Sequence, residues 1–401
     1  MLFTQWLNGF AGRILGSRQR TGSFARRGST GGTSLAARGG SWMVTSHGAT
    51  GSSDFSQIVE QLEDRSLLSA WIAEGPGPSQ NGQVEGILNR EVVGAVHAVA
   101  AHPTDANTIY IGTANGGIWK TTNALSASPT WTALTDDQES LSIGALEFDP
   151  TDATHQTLVA GIGNYSSFAG IGGPKSGLLR TTNGGATWTP LDGTGTLDGK
   201  NINGVVARGS TITVSVNFAD VFSFPNIGIF RSTNTGASFT QISNGTGAAT
   251  GLPGGATYDV AGDPSNPTTL YTAVVFADFV GGLNGIYKSV NGGANWSKIS
   301  NPAMDALIIS NTTNNIEIDV GNSDNVYVGI INFGQLAGLF RSGNGGGSFT
   351  QLDTPVTNEN GTDVGINPRP KLDGTPGGQG ATHFSMHEWR HGHVPKFPRC
   401  E

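Results

Sequence analysis

One fourteen-residue pattern, repeated along the chain, constrains the fold more than any other feature. Four clear copies begin at Leu178, Ile229, Ile286 and Leu339, and a looser copy with a longer turn begins at Ile118. The clear copies read LLRTTNGGATWTPL, IFRSTNTGASFTQI, IYKSVNGGANWSKI and LFRSGNGGGSFTQL. Their turn asparagines and that of the looser copy are spaced 60, 51, 57 and 53 residues apart. A period near 50 residues predicts a repeat architecture.

Each repeat predicts four short strands, because apolar and polar residues alternate between turn residues. In the first repeat the predicted strands are 96–102, 108–112, 117–122 and 131–134. Four-stranded units of this length are typical of propeller blades, which must pack against one another to bury both faces. The sequence therefore predicts an all-β propeller with five recognisable blades and an incomplete sixth. The blade bounds are about 94–134, 141–192, 201–243, 257–300 and 314–353, with the partial sixth at 378–386.

Composition agrees with short strands joined by tight turns. Glycine contributes 61 of the 401 residues, and charged residues only 13%, whereas a helical protein would be richer in Ala, Leu, Glu and Lys. The net charge is −8 and the repeats contain no basic patch, so nucleic acid is not an expected partner. No stretch approaches the ~20 apolar residues of a membrane span. Cys400 is the single cysteine, which leaves no intrachain disulfide, and nothing in the sequence implies a cofactor.

The first 70 residues differ from the repeats, and 71–93 is expected to be a linker or a closing strand. Residues 1–70 are rich in Ser, Gly and Arg, with no acidic residue before Asp54, which predicts disorder. The segment IVEQLEDRSLLSA at 58–70 resembles the LEDR-LLS motif near the start of many large surface or exported bacterial proteins. That resemblance implies export. The alternative is a chance amphipathic turn, since the apolar segment that follows is short for a signal peptide.

The repeated turn, Ser/Thr-x-Asn-x-Gly-x-x-Trp/Phe, resembles the Asp box of sialidases, sortilin-type receptors and xyloglucan-degrading glycosidases, with Asn in place of the usual Asp. We interpret it as structural: hydroxyl and amide groups bond the hairpin backbone, and the ring packs between sheets. The asparagines are Asn123, Asn183, Asn234, Asn291 and Asn344. The aromatic residues are Trp131, Trp188, Phe239, Trp296 and Phe349.

A cation precedes each box at a fixed offset, as Arg180, Arg231 and Arg341 in three repeats and as Lys120 and Lys288 in the others. Arginines that grip a carboxylate would suggest a sialidase. However, one repeat-equivalent position indicates a structural element of the blade, and the Phe-Arg-Ile-Pro signature of sialidases is absent. Sialidase activity is therefore not the expected function.

The segment GTANGGIWK at 112–120 resembles the first blade of the xyloglucan-degrading glycosidases. The resemblance implies an Asp, proposed as one of the acid/base pair, where this chain has Ala114. Glycoside hydrolysis ordinarily needs two carboxylates, and alanine cannot transfer a proton. We therefore predict no catalytic residues.

The loops between second and third strands are the best candidates for a ligand site. Phe218 and Asp220 in the third repeat match Phe276 and Asp278 in the fourth, within VNFADVFSF and VVFADFV. The second repeat contributes Tyr165 and Phe168, and the fifth contributes Asn332 and Phe333. Aromatic rings beside carboxylates can stack on sugars and bond their hydroxyls. The alternative is that the rings cap the core and the aspartates shape turns.

The last fifteen residues, 387–401, depart from the pattern. They hold three of the eight histidines and Cys400, and the spacing of His383 and His387 suggests a metal site on a helix. Gly392, with the prolines that follow it, opposes a helix. We predict no metal site and interpret the segment as a truncated or frame-shifted end.

Together these features predict an exported or cell-surface propeller that acts as a non-catalytic binding or scaffold module, with carbohydrate or protein as its ligand. The alternative is a glycoside hydrolase-related enzyme, xyloglucanase-like or sialidase-like, or its inactive remnant. A non-catalytic assembly factor is a third possibility.

Overall fold

A computed structural model describes residues 95–166, 170–221, 223–277, 283–321, 324–354, 356–359, 362–365 and 380–386. The predicted leader at 1–70, the linker at 71–93, the tail at 387–401, Phe168 and Asp278 lie outside the described residues. No helix in the described part of the chain is long and apolar enough to cross a membrane.

The described chain forms five four-stranded antiparallel sheets, each with its strands in sequence order, as the repeats predict. Blade 1 contains β1 (Val96–Ala101), β2 (Ile109–Thr113), β3 (Ile118–Thr121) and β4 (Thr132–Ala133). Blade 2 contains β5 (Ile143–Phe148), β6 (Leu158–Ile162), β7 (Leu178–Thr181) and β8 (Thr189–Leu191). Blade 3 contains β9 (Lys200–Arg208), β10 (Thr211–Ala219), β11 (Gly228–Ser232) and β12 (Thr240–Gln241).

The last two blades follow the same order. Blade 4 contains β13 (Ala256–Gly262), β14 (Leu270–Val275), β15 (Gly285–Ser289) and β16 (Ser297–Lys298). Blade 5 contains β17 (Thr313–Val320), β18 (Val326–Asn332), β19 (Gln335–Ser342) and β20 (Thr350–Leu352). A 3-10 turn at Phe224–Asn226 lies within blade 3, and α1 (Pro302–Asp305) connects blades 4 and 5.

The incomplete sixth blade expected at 378–386 is not shown. A two-stranded hairpin, β21 (Val356–Glu359) and β22 (Thr362–Gly365), follows blade 5. Beyond it, Gly380–His383 forms a single helical turn, α2. A Cβ at Gly329 of β18 would meet the side chains of Phe384 and Met386, so this segment packs against blade 5.

The core lies between the sheets, and the blades form a propeller. The first strands of consecutive blades pack side by side, from β1 to β17. Four apolar clusters each join neighbouring blades, and each contains one box aromatic residue. Trp188 lies between blades 1 and 2, Phe239 between blades 2 and 3, Trp296 between blades 3 and 4, and Phe349 between blades 4 and 5. Each ring therefore fills the space between its own blade and the preceding one.

Blade 1 differs because no described sheet precedes it. Trp131, at the position of the buried box rings, is 38% exposed, whereas Trp188 is 8% exposed. Val96 and Val99 of β1 are also exposed. The first blade therefore presents apolar side chains that the equivalent positions of later blades bury.

Candidate functional site

The propeller has two ends with different chemistry. In a four-stranded meander the loops joining strands one to two and three to four lie at one end, which we call the box face. The loops joining strands two to three, and the connections between blades, lie at the other, which we call the loop face. The box turns therefore lie opposite the loops in which the sequence predicts ligand binding.

The box turns are closed by side-chain hydrogen bonds. In all five repeats the Ser or Thr hydroxyl donates to the Oδ1 atom of the box asparagine at 2.8–3.0 Å. In the four clear copies the same hydroxyl accepts from a glycine N–H. Those glycines have φ between +80° and +87°, a conformation that favours glycine. The Ser or Thr hydroxyl and the asparagine Oδ1 atom of the motif are thus engaged within their own hairpin.

Cations link three of the box turns to the preceding blade, and in two of these a tyrosine makes the same link. Lys120 and Tyr110 of blade 1 both donate to the carbonyl oxygen of Gly184, at 3.2 and 2.8 Å. Lys288 and Tyr271 of blade 4 donate in the same way to Gly345, at 2.7 and 3.1 Å. In each pair the ammonium also lies over the tyrosine ring. In blade 3, Arg231 Nε donates to Gly292 at 2.7 Å.

The first strands of the blades surround the central axis of the propeller, and each of them is irregular. A register shift interrupts the pairing of the first strand with the second strand in every blade. Bulges turn a side chain out of the regular alternation and are frequent beside functional sites. Here they accompany a polar group of side chains at the centre of the propeller, which we call the axial cluster. Its members include His97, Tyr165, Asn203, Asn217, Tyr258, Asn315 and Glu317.

Aromatic and amide contacts fix the axial cluster. The His97 and Tyr165 rings are stacked, with centroids 4.3 Å apart and planes inclined by 10°. The Asn217 Oδ1 atom lies 3.5 Å from the Tyr165 hydroxyl and accepts from Asn201 Nδ2 at 3.2 Å. Burial raises the pKa of Tyr165 well above its ordinary value, and the nearby Glu317 adds to the effect. The phenol is therefore neutral and acts as a hydrogen-bonding group.

Two carboxyl groups belong to this centre, on first strands of adjacent blades. Asp259 accepts a hydrogen bond from the Ile318 N–H at 2.9 Å, and Glu317 accepts from Asn315 Nδ2 at 3.0 Å. Burial raises the pKa of Asp259 to about 7. Burial also raises the pKa of Glu317, and the Asp259 carboxylate raises it further. At neutral pH the pair therefore holds at least part of a proton, as interacting carboxyl groups do.

The space at the axis is small. The cavity lined by the axial cluster has a volume of about 20 Å³, close to what one water molecule requires. A sugar ring does not fit within it. Burial raises the pKa of both carboxyl groups, but the cavity leaves no room for a polymeric substrate.

The predicted binding residues divide between the axis and the loop face. Tyr165 lies in the axial cluster. Phe276 is partly buried against the cores of adjacent blades, and Phe218 is also partly buried. Asp220 forms an ion pair with Lys175 at 2.7 Å, and its side chain remains 61% exposed. Phe333 is 69% exposed at the tip of the β18–β19 turn.

Two of these phenylalanines share an unusual backbone. Phe276 has φ = +69° and Phe333 has φ = +52°, which bulky residues rarely adopt. They follow the second strands of adjacent blades, so the conformation recurs at corresponding places. Strain of this kind is often retained at functional sites. The pattern singles out these loops, although only Phe333 exposes its ring.

Sequence reasoning missed the axial carboxyl groups and His97. A signal for them existed, because Asp259 and Glu317 interrupt the apolar alternation of first strands at equivalent positions. Their meeting at the axis depends on how the blades pack. Ala114 is buried, in the segment where the glycosidase resemblance implies a carboxylate.

Comparison with known proteins gives distant glycosidase and propeller relatives. A xyloglucanase of Hypocrea jecorina (strain QM6a) is 25% identical over 233 residues, which are 51% of this chain and 26% of the relative. The structure of an ancestral GH74 enzyme matches with a TM-score of 0.43 and 21% identity, over 65% of this chain and 31% of that one. YCF48 from Cyanidioschyzon merolae matches with a TM-score of 0.39 and 14% identity, over 65% and 73%.

The matched part of this chain spans about a quarter of the length of the xyloglucanase. No family model matches the chain.

Proposed function

We propose that this protein is an exported, non-catalytic propeller that binds carbohydrate on its loop face. The observation that carries the proposal is Phe333, whose ring is 69% exposed on a turn with positive φ. The exposed Phe333 ring does not stabilise the core, although its backbone conformation is unfavourable for phenylalanine. A sugar face is a suitable partner for such a ring, because aromatic rings combine a large apolar surface with a defined orientation.

Other apolar residues at the same end support a binding surface. Three of the exposed large hydrophobic side chains lie in loops between second and third strands, and a fourth lies in the connection from blade 4 to blade 5. They are Ile171, Val221, Phe333 and Ile309, with 57%, 71%, 69% and 44% exposure. Exposed apolar side chains can form part of an interaction surface, and these four share the loop face. Lys175 and Asp220 add polar groups near Val221.

The non-catalytic part of the proposal rests on two features. Ala114 stands where the glycosidase resemblance implies a proton-transferring carboxylate. Glu317, one member of the carboxyl pair, lines a cavity of about 20 Å³, and the two carboxylates of a glycosidase must flank the scissile bond. Export is supported by the resemblance of 58–70 to leaders of bacterial surface proteins. Fractionation of the producing bacterium with an antibody against the propeller tests that part.

A glycan array tests the binding site. Wild type is compared with Phe333→Ser, and with a double variant that carries Asp220→Ala and Asp278→Ala. We expect Phe333→Ser to weaken the strongest glycan signal about tenfold, since covering an exposed large apolar side chain contributes roughly 1.5–3 kcal/mol, with an unchanged melting temperature. The double variant is expected to lose binding as well. Val290→Ser, which removes a side chain 67% exposed in the box turn of blade 4, is the matched control and should bind like wild type.

Three results would contradict the proposal. Equal glycan binding by wild type and both loop-face variants would exclude this site. A lowered melting temperature in the double variant would assign the aspartates to turn structure. Absence of glycan binding, together with capture of a protein ligand that Phe333→Ser abolishes, would keep the surface but replace carbohydrate by protein.

A further inference from the structure

A second cavity lies on the box face, between blades 3 and 4, at the end of the propeller opposite the proposed carbohydrate site. Its volume is about 360 Å³, within the range of small-molecule sites. Val206, Leu270 and Pro267 give it apolar walls, and Thr213, Arg208 and Arg231 give it polar ones. We call it the blade 3–4 cavity.

At this cavity blade 3 has a smaller residue than blades 1, 4 and 5 at the equivalent position. In blades 1 and 4 a tyrosine pairs across the sheet with the lysine that precedes the box. The pairs are Tyr110 with Lys120 and Tyr271 with Lys288. Each tyrosine fills the space beneath the next blade's box turn and donates to its carbonyl. In blade 3 the residue opposite Arg231 is Thr213. A threonine leaves most of the volume of a phenol ring empty.

With threonine in place of tyrosine in blade 3, Thr213 and Arg231 lack the partners that the tyrosines and lysines of blades 1 and 4 have. Thr213 is 1% exposed, and its hydroxyl has no hydrogen-bond partner, which is costly for a buried group. Arg231 makes one hydrogen bond, from Nε to Gly292, and no ion pair within the described part of the chain. No tyrosine ring lies opposite its guanidinium, as one does for Lys120 and Lys288.

Arg208 and Arg231 differ in whether an anionic side chain balances their charge. Arg208 is paired with Glu147 at 3.1 Å, so its charge is already balanced. Arg231 is partly buried, and burial lowers its pKa, because a cation loses hydration without gaining an anion. An arginine in this position is stabilised by an anionic group that accepts from its terminal nitrogens. The Thr213 hydroxyl can donate to the same group.

We propose that the blade 3–4 cavity binds a small molecule with one carboxylate on an apolar body. The carboxylate accepts hydrogen bonds from Arg231 and Thr213, and the body packs against Val206, Leu270 and Pro267. One unbalanced positive charge favours a monoanion. The three apolar walls favour a ring or short chain over a bare inorganic ion. This site is independent of the loop face.

The test uses benzoate and its neutral analogue benzamide with the full-length protein, measured by calorimetry or by ligand-observed NMR. We expect benzoate to bind, and benzamide to bind at least about tenfold more weakly, since a hydrogen bond to a charged group contributes about that factor. Thr213→Tyr restores the ring of blades 1 and 4. It should abolish benzoate binding and keep or raise the melting temperature.

Arg231→Gln should weaken benzoate binding about tenfold or more. Arg180→Gln, at the equivalent position of blade 2 opposite Val159, is the matched control and should bind like wild type. Equal affinity for benzoate and benzamide, no benzoate binding at millimolar concentrations, or unchanged binding in folded Thr213→Tyr would each overturn the proposal. If Arg231→Gln fails to fold, Thr213→Tyr and the two probes still decide it.

Discussion

Lys288 of blade 4 donates a 2.7 Å hydrogen bond to the carbonyl oxygen of Gly345 in the box turn of blade 5. Lys120 of blade 1 donates the equivalent bond to the carbonyl oxygen of Gly184 in the box turn of blade 2. The two lysines that precede a box therefore have a place in the fold that does not require a ligand. The partner of each lysine is a backbone carbonyl of the next blade, and the bond adds a polar connection to the apolar packing between the two sheets.

We expect Lys288→Met to lower the free energy of unfolding by about 1–2 kcal/mol, because it removes a charged donor from a partly buried carbonyl and leaves Tyr271 as the remaining donor. Denaturant unfolding measures the change. Lys298→Met is the matched control: Lys298 forms a surface ion pair with Asp305 at 2.9 Å, and loss of such a pair costs about 0–1 kcal/mol. Equal effects of the two variants would contradict an inter-blade role for Lys288.

Trp188→Ala should destabilise the protein by about 3–5 kcal/mol, because the ring is buried in the core between blades 1 and 2 and its removal leaves a large void. Thermal or denaturant unfolding checks this. Trp131→Ala removes the equivalent ring of blade 1, which is exposed, and should cost less than about 1 kcal/mol. A loss below about 1 kcal/mol in Trp188→Ala would show that the box ring does not support blade packing.

Asp259→Asn should make stability less dependent on pH. The folded protein holds the pKa of Asp259 at about 7, against an ordinary value of 3.8, so the native state binds a proton that the unfolded state has released. The stability that this proton contributes is fully present below about pH 4 and is lost as the pH rises through 7. Asparagine reproduces the neutral form. The variant should therefore match wild type near pH 4 and exceed it near pH 8 by roughly 2–4 kcal/mol.

Urea unfolding at several pH values between 4 and 8 measures this difference. Asp220→Asn is the control, because the Asp220 side chain is exposed and paired with Lys175 on the surface; its effect should stay within about 1 kcal/mol throughout. A constant difference between Asp259→Asn and wild type across the range would show that the Asp259 carboxyl ionises normally in the folded protein.

Wild-type protein incubated for a day with xyloglucan should release no new reducing ends. The reason is that Ala114 cannot transfer a proton and the Glu317 carboxyl lines a cavity of only about 20 Å³. A reducing-sugar assay with a boiled-protein blank measures the outcome. Hydrolysis that disappears in Asp259→Asn or Glu317→Gln would establish a glycosidase and replace the binding proposal.

The sequence by itself determined the repeated part of this protein. Strand alternation and turn chemistry are local, so the five blades, their box turns and their order could be predicted from residues 96–352 alone. The box hydrogen bonds join residues two to four positions apart, as between Ser342 and Gly346. Such contacts form within one hairpin and need no knowledge of the neighbouring sheet.

Only the tertiary structure decided what lies between blades. His97 of a first strand meets Tyr165, which follows the second strand of the next blade, and Asp259 influences Glu317, because segments of different repeats converge on one axis. Trp131 is exposed, whereas Trp188 is buried, although both occupy the same place in the motif. The difference arises because burial depends on the preceding blade, and a side chain's own sequence context contains no information about that neighbour.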